Sequence, residues 1–252
     1  TPLGAVTINS ATNVTADLAF SAASLRQVAG SGTTTFTGAL TTTAAAGIEV
    51  DGTNFDFNDA VSLTLGNLDL DSTGTVRFNG LVTTSDSDNG LVTITNGDEL
   101  TVTATGDMDL QGAFLQDGDG AVSTAGNITT SDDNVTFQSA TTLTGGIVIN
   151  TGNGAGTVAF NDTLDSAANA ASTLNITAGT GNIDFDAAVG SATNGELGAI
   201  TIVSAQNVTA DSTIEAASLV QNAGTLTTLT DNVTTTTAAG VDITATDIRL
   251  DG

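Results

Sequence analysis

The sequence predicts an all-β fold, a parallel β-solenoid of about 11 coils that forms part of a longer tandem array. Three observations point there. Short apolar–polar–apolar triplets fill the chain, the period-two signature of strands with one buried face. A Gly, Asn or Asp leads into such a triplet at Gly47, Asn67, Gly90, Asp107, Asn127, Gly146 and Asn182. This is about the spacing of one β-helix coil with two or three strands, roughly 17 to 27 residues. The competing architecture, a string of β-sandwiches, would carry a buried Trp, a tyrosine corner or a Cys pair. The chain has no Trp, Tyr or Cys, and its many Ala and Gly residues suit the crowded corners of stacked coils.

Taken in order, strands are predicted over 5–8, 48–50, 68–70, 91–94, 100–103, 147–149, 174–176, 183–185, 200–202 and 241–243. Their inward positions are Val, Ile, Leu or Phe and their outward ones mainly Thr, Asp and Asn, which fits a pleated, half-buried surface. Gly, Asn, Asp and Ser clusters at 71–74, 96–97, 117–120 and 153–156 tolerate positive φ and make tight corners. The Ala-rich patches at 44–46 and 167–171 are too short and too poorly capped for helices. At about 4.8 Å per coil the rod would be roughly 50 Å long.

The stretch 4–25 returns at 198–219 with roughly two thirds of its positions identical. Most exchanges keep class, such as Val6 for Ile200 and Phe20 for Ile214. The match continues with a one-residue slip, so that 34–36 faces 227–229 and 44–50 runs beside 238–243. Residues 1–252 are therefore read as one continuous solenoid, with a long internal repeat over 4–197 and the start of the next copy at 198–252.

Three Arg stand against 28 acids, with no Lys or His, for a net charge of −25. That balance argues against nucleic acid and against docking on anionic lipid, both of which need a basic surface. It favours divalent cations as partners, or salty surroundings where repulsion is screened over about 10 Å or less. No apolar run is long enough to span a membrane. No signal peptide opens the sequence, and Thr1-Pro2 is not a natural start, so an export signal is expected upstream.

The stretch 27–38 (Gln-Val-Ala-Gly-Ser-Gly-Thr-Thr-Thr-Phe-Thr-Gly), its echo at 221–224 and the string 107–130 resemble the giant repeat-rich exoproteins of aquatic bacteria, akin to filamentous-haemagglutinin-type β-helix adhesins. The resemblance implies an exported right-handed β-helix displayed on, or shed from, a bacterial cell surface. It brings no catalytic residues with it.

Calcium is the leading chemical candidate. Asp86 and Asp88 in one Gly-containing turn, and Asp117 and Asp119 in another, place carboxylates two residues apart where hard oxygen ligands could converge. Neither turn completes an EF-hand loop or the calcium-binding nonapeptide, and solvated Asx-turns are the simpler reading of both. Thr-x-Thr segments at 93–95, 101–105, 33–35 and 234–237 would suit a flat ice- or mineral-binding array only if they recurred on successive coils, whereas Thr also simply favours strands. Asn13, Asn127, Asn134, Asn161, Asn175, Asn207 and Asn232 begin Asn-x-Thr glycosylation sequons, and only Asn134 also has an acid two residues earlier, Asp132. With neither His nor Cys, and without aromatic sugar platforms, catalysis is not expected.

The expected role is structural: a fibre, stalk or sheath segment of a large extracellular adhesin or matrix protein, joined head to tail to copies of itself or to adjoining repeats. The alternative is a calcium-dependent module that binds surface glycans.

Overall fold

The computed structural model describes residues 1–86, 89–191 and 193–251. Among these residues all regular structure is β-strand, and each ladder is parallel. The chain winds as a solenoid with three strand positions per turn, so the strands stack into three columns, here called faces A, B and C. A parallel column is the way to satisfy every backbone amide when each turn returns one coil higher, because the unpaired edges then remain only at the two ends.

Face A runs from Leu3–Ile8 through Phe20–Gln27 and Ile48–Gly52 to Leu226–Leu229 and Asp247–Leu250, twelve strands in one column. Face B climbs from Val14–Ala16 to Leu164–Ser166, narrows to single bridges at Val189, and widens again where Ile214 pairs with Val233. Face C carries Leu40–Thr42 near one end and Val241–Ile243 near the other. The segments Phe20–Gln27 and Ile214–Gln221 each bridge two faces without a break.

One turn takes between 19 and 25 residues, measured from one face A position to the one above it. The strands keep register, apart from a one-residue shift on face C where Ile176 pairs with Ile202 but Thr177 with Ser204, while the corners absorb the difference. The corner at 166–174 is the clearest case. Asn169 and Ala171 take positive φ there, and the Ser172 amide donates to Ser166 Oγ at 2.8 Å to close the loop. The Ala-rich patches predicted to be non-helical are turns.

The Gly, Asn and Asp residues that lead into triplets do not mark one corner per coil. Gly47, Asn67 and Gly90 lead into face A; Asp107, Asn127 and Gly146 lead into face C; Asn182 returns to face A. Each corner makes the same local demand, so sequence punctuation locates corners without telling them apart. Gly47 shows the demand plainly: its φ is +58°, and a Cβ there would collide with the Asn67 carbonyl on the next coil.

The interior is one apolar cluster that runs from Leu25 to Leu229. Two stacks of Phe form its spine. Phe36, Phe57 and Phe78 rise along face B, with Phe57 and Phe78 centroids 5.0 Å apart and rings 7° from parallel. Phe137, Phe160 and Phe185 rise along face A, with separations of 5.1 and 5.7 Å. Each buried ring contributes about 1.5–3 kcal/mol through removal from water, and the stacked geometry adds about 0.5–1.5 kcal/mol per pair. The last coils differ. Val241, Ile248 and Leu250 are 47, 49 and 71 % exposed, and Leu229, Val233, Val241 and Leu250 line an apolar depression on the uncovered coil.

Candidate functional site: the acidic outer face and the coil corners

The four carboxylates expected to bind calcium sit in different settings. Asp86 follows the face C strand Val82–Thr84 and is buried; its Oδ2 accepts from the Gly66 amide at 2.9 Å and from Asn89 Nδ2 at 3.4 Å. Its carboxylate thus caps a backbone donor of the coil below. Asp88 lies outside the described residues. Asp117 and Asp119 are exposed at another corner, between Phe114–Gln116 on face A and Val122–Thr124 on face B. Asp117 Oδ1 accepts from Thr95 Oγ1 at 2.7 Å. The two turns are therefore separate, and among the described residues no three or more acidic side chains converge in a way that could hold a metal ion.

The acids that do come together were not singled out by the sequence. On face A the outward residues Glu49 and Asp51 stand directly beside Asp69 and Asp71 of the next coil. Arg26 sits one coil below and pairs with Glu49, Nε to Oε1, at 3.1 Å; both side chains are about half exposed. Thr93 and Thr95 follow on the other side. Partial burial, followed by the charges of Glu49, Asp51, Asp71 and Asp117, raises the Asp69 carboxyl above the ordinary Asp value. Burial and the charges of Asp71 and Glu49 raise Asp51 likewise, with Arg26 opposing. Farther along the same face, burial and the Asp186 charge raise Asp184, against a hydrogen bond from Thr209. The signal for the ladder was the Glu-x-Asp at 49–51 and the Asp-x-Asp at 69–71, one coil apart.

A second feature is built from Asn side chains at corners. Asn13 Oδ1 accepts from the Thr33 amide at 3.0 Å, Asn54 from Thr75 at 2.9 Å, Asn67 from Leu91 at 3.1 Å, Asn127 from Val148 at 2.8 Å and Asn134 from Thr157 at 2.8 Å. Each Asn thus replaces a backbone acceptor where the chain turns between strands, which satisfies an amide of the coil above. Three of the seven sequon asparagines, Asn13, Asn127 and Asn134, are among these caps.

The Thr-x-Thr segments do not stack on one another. Thr93 lies between Asp69 and Leu115, and Thr101 between Arg77 and Ser123. Arg77 Nε donates to Asn79 Oδ1 at 2.9 Å, and Arg249 pairs with Asp251 at 2.6 Å.

Polar groups also reach the interior. Gln116 Nε2 donates to Asn96 Oδ1 at 2.8 Å, to the Gly118 carbonyl at 2.8 Å and to Ser139 Oγ at 2.9 Å, while its Oε1 accepts from the amides of Gln138 and Ser139. Three successive coils are tied by this one side chain. Its bonds are saturated within the fold, which is the mark of a structural network.

No protein-family model, curated protein or solved structure matches the chain.

Proposed function

We propose that this chain is a structural rod segment. Its parallel columns carry axial load through stacked backbone hydrogen bonds, and the number of repeats sets rod length. The observation that supports this most is the face A column, which continues through twelve strands without interruption. A rod of that kind gains stability with each coil added, as neighbouring repeats supply the core that none has alone.

The finer reading is of an extracellular fibre, stalk or sheath element of a bacterial surface or matrix protein, without catalysis. Coils join head to tail, and the apolar depression around Val241 and Leu250 is covered by an adjoining coil. Two features support it: the resemblance in sequence to surface exoproteins, and an acid-rich exterior that keeps rods apart in solution.

Single-molecule pulling on the chain, flanked by marker domains of known strength, tests the mechanical role. The expected result is stepwise loss of coils from an end at forces above those of the markers. Unfolding below the markers, together with chelator-sensitive binding to one sugar on a glycan array, would replace the rod by the calcium-dependent adhesin module.

A further inference from the structure

The long repeat is not a whole number of turns. Val14 and Val208 are equivalent in sequence, yet Val14 stands on face B and Val208 on face A. Eight steps up face B lead from Val14 to Val189; the chain then passes face C at Ile200 and reaches face A at Val208. A second pair gives the same count. Leu25 is on face A, eight steps up that face lead to Val208, and its equivalent Leu219 lies two faces further on, on face C. The copies are thus about eight and two-thirds turns apart.

The local structure survives this change of face. Thr34 Oγ1 donates to Gln27 Oε1 at 2.8 Å across the corner from face A to face B. In the second copy Thr227 Oγ1 donates to Gln221 Oε1 at the same distance, across the corner from face C to face A. A corner built from the same residues therefore fits two different edges of the prism.

We propose that successive long copies are related by a screw, each turning the surface by one third of a revolution. At about 4.8 Å per turn, one copy advances the rod by about 42 Å, and the surface returns to its starting face after three copies, about 125 Å along. Every outward feature of the repeat is then presented on all three sides of the rod in succession. The strip that begins with Arg26 and Glu49 on face A restarts with Val220 and Asp242 on face C. A rod with a whole-turn repeat would show one chemically distinct side to its surroundings; this one shows the same side in three directions. The consequence for an array rests on the rod reading above, but the phase itself does not.

Because the chain has no Cys, nitroxide labels can be placed as single pairs. Asp184 and Thr209 are outward neighbours on adjacent coils of face A. Labels at Asp184→Cys and Thr209→Cys are expected to show strong spin exchange, as side chains one coil apart do. Labels at Asp165→Cys and Thr209→Cys, which a whole-turn repeat would put in one column, are expected to show none. The reverse pattern overturns the proposal. Nuclear Overhauser contacts between the backbones of Phe185 and Ala210 in the unsubstituted chain read the same phase without any substitution; contacts from Ala210 to Ser166 in their place would also overturn it. Neither readout depends on mechanical strength, so the rod function and the screw fail separately.

Discussion

Thr34 Oγ1 donates a hydrogen bond to Gln27 Oε1 at 2.8 Å inside the solenoid, and Gln27 Nε2 in turn donates to the Asp51 carbonyl of the next coil at 3.1 Å. Both side chains are buried, so neither has water as an alternative partner. Thr34→Val keeps the shape and leaves the Gln27 oxygen unsatisfied. The expected loss is about 1–3 kcal/mol, read by urea denaturation. Gln27→Leu with Thr34→Val is expected to recover part of that loss; a double variant no better than either single one would show that packing, and not the bond, matters here.

Phe57 lies in the middle of its stack, with Phe36 5.8 Å away on one side and Phe78 5.0 Å away on the other. Phe57→Ala opens a cavity between two coils that backbone bonds hold at fixed spacing, so collapse is limited. The expected cost is about 3–5 kcal/mol. Hydrogen exchange should show the loss centred on the coils that hold residues 36, 57 and 78.

The corner asparagines make a prediction in which acceptor chemistry, not charge, decides. Asn127→Ala strips the acceptor from the Val148 amide and should cost about 0.5–1.5 kcal/mol. Asn127→Asp keeps the acceptor and should restore most of it at neutral pH. Equal losses in thermal melts of the two variants would rule out the cap.

The outer carboxylates set a pH dependence of definite sign. Asp69 and Asp51 are raised above 3.8, so the folded chain binds more protons than the unfolded one between that value and their folded values. Their contribution is favourable below the unfolded value and is lost as pH rises through the folded ones. Stability should therefore increase on acidification from neutral towards pH 4, and added salt should flatten the slope. Asp69→Asn should shrink the slope in pH-dependent melts; an unchanged slope would remove the ladder as its cause.

Asp86 and Asp117 separate a structural carboxylate from a solvated one. With a chelator present, Asp86→Ala should cost about 1–3 kcal/mol because the buried Gly66 amide loses its acceptor. Asp117→Ala should stay within about 0.5 kcal/mol. If the Asp86 loss appears only when calcium is supplied, the carboxylate serves a metal and not the amide.

Part of faces A and C was legible, because inward Val, Ile and Leu flank outward Glu49, Asp69 and Asn175 at 48–50, 68–70 and 174–176, whereas strands such as Phe114–Gln116 and Val135–Phe137 on face A and Val82–Thr84 on face C were missed. Most of face B was not. Its triplets are mixed, as at 122–124 and 141–143, where Ser and Thr occupy ladder positions and buried Thr takes the place of an apolar residue. The Phe residues at 36, 57 and 78, and again at 137, 160 and 185, fall one coil apart and stack, a relation that the unequal spacing of the two sets hides in the sequence. The acidic ladder was hidden for a related reason. Glu49 and Asp69 are remote in sequence, and adjacency across coils follows from corner lengths that vary by several residues. Asp86 shows the converse: a Gly-containing acidic turn has one appearance in sequence whether its carboxylate faces solvent or a backbone amide.

The variable corners have a practical side. Strand registry is indifferent to how many residues lie between 166 and 174, because Ser166 and Ser172 close that loop on themselves and on the Leu143 carbonyl. Foreign peptide grafted between Asn169 and Ala171 would be carried outside the prism while the columns on either side stay intact. The molecule is thereby a ruler with pegs: guests attached at such corners of successive coils would stand at fixed axial intervals of about 4.8 Å, and the choice of corner would set their bearing around the axis.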